Sequence, residues 1–238
     1  MLSDLETGIR RIADGVAADW AVYVKFLDTG EEIAIDADSP MDTMSVIKVP
    51  LIVALWREAE AGRADLDRRV TLDGSQRRWG TGALCALDDG LSLTLRDAAK
   101  LTIGLSDNTA ADICFEAVGG PQQVTRHMRE LGLRSIEATG TALDWLRAVV
   151  VSADPSAAGL DADALFRHGY PAPPPIGSGW LPERMSAVRT RFHFEVGRPF
   201  GLSTARDMGR LLEMIYSAQC ASRSSCDAIL AILRDQHY

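Results

Sequence analysis

The chain has 238 residues, 47% of them hydrophobic and 24% charged, with a formal net charge of −8. That length suits one sizeable domain or two closely packed lobes. The acidic balance argues against a nucleic-acid binder, which carries a basic face, and there is no run of about 18 apolar residues to span a membrane.

Residues 3–14 have the spacing of an amphipathic helix and lack the basic start and apolar run of a secretory signal. As written, the chain therefore reads as cytoplasmic, although a signal removed earlier would leave the same sequence. "WAVYVKFLDTGEEIAID" alternates, with Val22, Val24 and Phe26 on one face, a turn at Asp28-Thr29-Gly30, and Ile33 and Ile35 beyond it. This predicts a β-hairpin. From about Ser45 to Ala61 a helix is expected that is apolar on nearly every side, and such a helix sits in the middle of a protein. Pro50 falls early enough to be tolerated in its first turn, and Gly62 supplies a stop. "GSQRRWGTGALCALDDGLSLT" reads as loop. Thr94 and Asp97 mark a capping box that opens a helix to about Leu105. "SDNTAADICFEAVGG" starts the next helix, which ends at Gly119-Gly120, and Pro121 opens another that runs to about Leu131.

Residues 140–200 read as a long inserted loop, rich in proline and glycine around "PAPPPIGSGW", with one short helix near 158–167. Thr204 to Asp207 form a second capping box before a helix with a core-facing stripe, and "CDAILAILRDQHY" is a last helix. The four cysteines show no C-x-x-C spacing and read as free thiols, although Cys220 and Cys226 can pair in an oxidising compartment. The four histidines form no metal-ligand pattern.

Ser45 and Lys48 stand one helical turn apart, so their side chains can meet. A buried amine whose pKa falls can take the proton of a serine hydroxyl and make it a nucleophile. The backbone N–H groups at a helix start can hold an oxyanion. The same pair also fits a serine cap with a snorkelling lysine. Ser106, Asp107 and Asn108 lie at a junction between helices, where a hydroxyl can relay a proton and an amide can hold a carbonyl; an ordinary polar cap would use the same residues.

Ser-x-x-Lys followed about 60 residues later by Ser-Asp-Asn resembles the class A β-lactamases and penicillin-binding proteins. "VKFLDTGEEIAID", "LTLRDAAKLTIGLSDNTAADIC" and "LSTARDMGRLLEMI" carry the likeness across residues 18–135 and 200–235. The resemblance implies an α+β, two-lobe fold: an antiparallel sheet flanked by helices, with an all-helical lobe beside it, in one domain over 1–238. It implies a serine hydrolase acting on a β-lactam-like amide or an ester. Ser45 is acylated, Lys48 shares its proton and contacts Ser45 and Asn108, Ser106 relays a proton to the leaving nitrogen, and Asn108 binds the substrate amide and positions Lys48. Asp107 fixes the loop. No metal or organic cofactor is implied. Trp180 and Tyr170, in the inserted loop, are the expected apolar contacts for substrate.

Two departures shape the expectation. At the distance where the family places its deacylating glutamate, about 35 residues after Ser-Asp-Asn, the sequence reads "TALDWL", with Asp144 and no glutamate. Glu137, Glu183 and Glu195 lie outside that context. No Lys-Thr-Gly-type triplet follows residue 108, so the chain is expected to stop before its sheet is complete, to self-associate, or to be complemented by a C-terminal segment. Both departures favour slow turnover. The alternatives are a carboxylesterase or D-aminoacyl peptidase on the same scaffold, or a non-catalytic penicillin-binding sensor.

Overall fold

The segment that is apolar on every side becomes the axis of the molecule. In the computed structural model, which describes residues 2–169 and 200–237, the chain begins with α1 (Leu2–Asp14) and a hairpin of β1 (Val22–Lys25) and β2 (Glu32–Ile35). Strand β3 (Met41–Asp42) leads to α2 (Lys48–Glu60), followed by β4 (Arg69–Thr71), β5 (Ser92–Thr94), α3 (Leu95–Gly104), α4 (Asn108–Val118) and α5 (Pro121–Glu130). Then come β6 (Glu137–Ala138), α6 (Ala142–Ala153), α7 (Ala162–Gly169), β7 (Gly201–Ser203), α8 (Ala205–Tyr216) and α9 (Arg223–Arg234). The fold is α+β: antiparallel strand pairs flanked by helices stand beside an all-helical lobe.

Leu51 to Leu55 of α2 are almost without solvent contact and pack against α3, α4, α5 and α9, including Ala110, Phe115, Met128 and Ile229. Truncating Leu51 to alanine would cost about 3 kcal/mol. Pro50 is the third residue of α2, so its missing N–H breaks no helical bond. Asp107 caps α4 by accepting from Ala110 N at 2.9 Å. The helix ends on Gly119, whose φ of 93° suits a residue without a Cβ.

The hairpin pairs Val22 with Ile35 and Lys25 with Glu32. It lies on α8, where Lys25 Nζ donates to both oxygens of Glu213 at 2.8 Å. Strands β3, β7 and β6 form a three-stranded antiparallel sheet, with Met41 opposite Ser203 and Ala138 opposite Gly201. This small sheet clasps the two ends of the inserted loop and anchors the turn that leads into α2. Among the described residues, no helix is long and apolar enough to cross a membrane.

Four expectations need correction. Phe26 is 43% exposed, because β1 ends at Lys25 and Phe26 belongs to the turn, where its N–H donates to Glu31 O. The central helix does not start at Ser45: a 3₁₀ turn, Met44–Ile47, precedes it. The inserted loop holds more helix than one short piece. Thr141 and Asp144 make a reciprocal capping box for α6, whose Leu146, Val149 and Val150 bury against Trp79, Leu165 and Phe166 as a second small core. Thr94 and Thr204 do cap their helices, but not reciprocally. Asp97 accepts from the Thr94 hydroxyl, and Asp207 turns to Ser135. Tyr170, Trp180, Glu183 and Glu195 lie outside the described residues.

Candidate active site

Ser45 sits in the 3₁₀ turn and is exposed. Met44, just before it, has a φ of 44°, a left-handed conformation that a non-glycine residue holds only when its surroundings impose it. Those surroundings are visible. Met44 N donates to Asp42 Oδ1 at 2.9 Å, and Thr43 N donates to Gly201 O at 2.9 Å. A Cβ at Gly201 would stand 2.6 Å from Thr43 Oγ1 and 2.9 Å from Ile47. Glycine therefore lets β7 press against this turn.

Lys48 opens α2 and is 1% exposed. Its Nζ donates to Ser106 O at 2.6 Å, Ser106 Oγ at 3.0 Å and Asn108 Oδ1 at 2.8 Å. All three acceptors are uncharged. Burial pulls the ammonium down from 10.5 to about 8, against the upward pull of the Asp107 and Asp112 carboxylates. The contact with Asn108 is the one expected. The contact expected with Ser45 is absent from the hydrogen bonds of the described residues: the ammonium turns to Ser106, whose carbonyl and hydroxyl together offer it two oxygens.

Ser106 has a φ of 51°, the second left-handed non-glycine residue at this site. Its carbonyl accepts from both Lys48 Nζ and the Thr81 hydroxyl, the latter at 2.6 Å. Asn108 uses both ends of its amide: Oδ1 accepts from Lys48, and one Nδ2–H donates to Trp79 O at 2.6 Å. Asp107 is 1% exposed, and its carboxylate accepts from the N–H groups of Ala83, Leu84 and Ala110. Both its oxygens are occupied in fixing the loop.

Residues 77–83, which the sequence marks only as loop, hold the site from the other side. Gly80 and Gly82 have φ of 96° and 117°. A Cβ on Gly80 would lie 2.7 Å from Asn108 Nδ2, and one on Gly82 would overlap Asp107. Trp79 turns inward, stacks on Phe166 with centroids 5.9 Å apart, and donates Nε1–H to Phe166 O at 3.0 Å. Arg78 pairs with Asp112, which also accepts from Ala142 N and Leu143 N at the start of α6. The available signal was "RRWGTG", two glycines straddling one hydroxyl.

Asp144, at the glutamate's spacing, is exposed and accepts from Thr141 N and Oγ1. Among the described residues, no cluster of histidine, cysteine, aspartate and glutamate could hold a metal ion.

The arrangement places an exposed hydroxyl beside a buried amine of lowered pKa, with a second hydroxyl and an amide on that amine. Comparison with known proteins supplies the family. The profile of the Beta-lactamase enzyme family matches residues 4–238, and the chain belongs to that family. A stretch of 138 residues, 56% of the chain, is 30% identical to 44% of a β-lactamase of Streptomyces albus G. A stretch of 114 residues, 48% of the chain, is 32% identical to 36% of the β-lactamase regulatory protein BlaB of Streptomyces cacaoi. The matched stretches thus span less than half the length of these relatives. The crystal structure of a β-lactamase from Sphaerobacter thermophilus aligns with 92% of the chain, at 26% identity and a TM-score of 0.65, and the chain covers 63% of it. The fold is that of class A β-lactamases, and the family is the Beta-lactamase enzyme family.

Proposed function

We propose that the chain forms an acyl-enzyme on Ser45 with a β-lactam-like amide. The single observation that carries this reading is Lys48: a buried ammonium held by Ser106 and Asn108, with a pKa lowered to about 8. In its neutral form Lys48 has a lone pair for the Ser45 proton. Hydrogen bonds in a site without substrate are often long or misaligned and tighten in the complex, so Lys48 reaches Ser45 once substrate is bound. Ser45 Oγ attacks the carbonyl carbon while the Ser45 N–H faces the developing oxyanion. The tetrahedral intermediate then collapses. The C–N bond breaks, and the leaving nitrogen takes a proton from Ser106 Oγ, which Lys48 replenishes.

Hydrolysis of the acyl-enzyme needs a base to activate water. Among the described residues, Asp107 and Asp144 are both engaged with the backbone. Acylation followed by slow release is therefore expected. This same feature favours a second reading, a penicillin-responsive sensor that keeps its acyl group, and one relative at 32% identity bears the name of a β-lactamase regulatory protein.

Intact-mass measurement after exposure to benzylpenicillin, and separately to a p-nitrophenyl ester, tests the proposal. One covalent penicilloyl adduct that maps to Ser45 and is lost in Ser45→Ala is expected. An adduct on Ser106 or on a cysteine, or no adduct at all, overturns it. Acylation by the ester alone would instead mark an esterase. Persistence of the penicilloyl mass separates a sensor from an enzyme that turns over.

A further inference from the structure

Cys220 lies in the turn between α8 and α9, and Cys226 lies in the first turns of α9. Their sulfurs are 3.6 Å apart, and both residues are buried, at 1% and 0% exposure. The other two cysteines have no such neighbour. Cys114 faces the Thr102 hydroxyl, and Cys85 belongs to the small core around Trp79.

The backbone around the pair is already fixed. Cys220 O accepts from Arg57 Nη1 at 2.8 Å, Ser222 N donates to Glu60 Oε1 at 2.9 Å, and Cys226 N donates to Ser222 O at 2.9 Å. Two thiols held in contact by a fixed backbone need only small side-chain rotations to close to a bond of about 2.05 Å. We propose that Cys220 and Cys226 are a dithiol–disulfide pair, oxidised by thiol–disulfide exchange with a small-molecule disulfide such as oxidised glutathione.

The exchange balances in two steps. A thiolate from one cysteine attacks the small disulfide, forms a mixed disulfide and expels one thiolate. The second cysteine, deprotonated, then attacks the protein sulfur of that mixed disulfide and expels the other. Two protein thiols lose two protons and two electrons, and one small disulfide becomes two thiols. Closure staples the start of α9 across the turn that Arg57 and Glu60 hold against the end of α2. It acts far from Ser45, so the oxidised form gains stability without a new group at the candidate site.

Burial and the adjoining Cys226 push the Cys220 thiol up to about 12, so thiolate is scarce and exchange in the closed protein is slow. The test therefore equilibrates the full chain with glutathione buffers in urea just below its unfolding transition, with fully unfolded chain in parallel. In the most oxidising buffer, the number of reactive thiols should fall from four to two. Trypsin cuts after Arg223, so peptides 211–223 and 224–234 should be found linked and should separate on reduction. Oxidation should raise the Tm of the wild type by about 5 °C and leave that of Cys226→Ser unchanged. If Cys226→Ser does not fold, Cys220→Ala serves the same purpose. Retention of all four thiols while the unfolded chain oxidises overturns the proposal. So does a stable glutathione adduct on either cysteine, or a link through Cys85 or Cys114.

Discussion

Lys48 and Glu58 stand near opposite ends of α2, at 1% and 3% exposure. Lys48 meets only uncharged oxygens. Glu58 accepts from Arg63 Nε at 2.6 Å and Nη2 at 2.9 Å, and from His127 Nε2 at 2.6 Å. His127 Nδ1 accepts from Arg57, which can only donate, so the ring proton sits on Nε2 and points at Glu58. The Arg63 guanidinium and the His127 proton hold the Glu58 carboxyl at about 2, against desolvation. At the other end desolvation wins, and the ammonium falls to about 8. One helix thus carries a charge that is fully answered and one that is not. The answered charge joins elements together; the unanswered one is ready to change its protonation state.

The largest effect that can break this contrast is on rate. Lys48→Met should slow Ser45 acylation by about a thousandfold, the range expected for loss of a positioned base. Its stability in urea at pH 7 should stay within about 1 kcal/mol of wild type, because a costly buried charge goes with it. Unchanged acylation would remove Lys48 from the mechanism.

Next comes pH. Lys48 binds its proton less tightly when folded, about 8 against an ordinary 10.5. Between those values the unfolded chain binds more protons, so stability should rise with pH across that window, by about 3 kcal/mol. The acylation rate should climb as pH passes about 8. Glu58 has the same sign of slope in an acid window, because its pKa is lowered as well. Its contribution is present above the ordinary 4.5 and is lost as pH falls toward about 2. Urea unfolding across pH, wild type against Lys48→Met, isolates the alkaline rise; a flat difference would refute the lowered pKa.

Glu58→Gln should destabilise the protein by about 2 kcal/mol rather than the larger loss of a fully buried pair, since the Arg63 side chain is 58% exposed. Acylation should not change. A parallel loss of acylation would show that the two ends of α2 are coupled. The smallest effect expected is at Thr81. Removing its hydroxyl in Thr81→Val frees one side of Ser106 O and should lower acylation by about tenfold, roughly one hydrogen bond's worth. Thr81→Ser should restore it.

The sequence carried much of this, because some signals are local. Ser45, Lys48, Ser106 and Asn108 could be named from two short motifs, and Asp107, Gly119 and Pro121 mark their helix ends by local chemistry. What escaped was set by tertiary approach. Lys48 turns to the Ser106 carbonyl because α3 and α4 bring it there, and no spacing encodes that. Gly80 and Gly82 look like loop glycines until Asn108 and Asp107 are seen pressed against them. Helix α6 carries the same Thr-x-x-Asp start as α3, at Thr141 and Asp144, but the prolines and glycines that follow mask its pattern in the sequence. Phe26 shows that alternation alone does not say where a strand ends.

The clasp of β6 and β7 has a consequence for how such a protein can change over time. Ala138 and Gly201 face one another in the ladder, so everything strung between them starts and finishes at one place. Closing a longer loop between fixed ends costs only about 0.6 kcal/mol per doubling of its length. Gly201, in turn, lies against Thr43 and Ile47, next to Ser45. The interval between the two strands can therefore change in length at little entropic cost, so long as α6 still meets Trp79 and Asp112. Insertions there leave the anchor of the turn bearing Ser45 in place, because that anchor is made by Gly201 and not by the segment that precedes it.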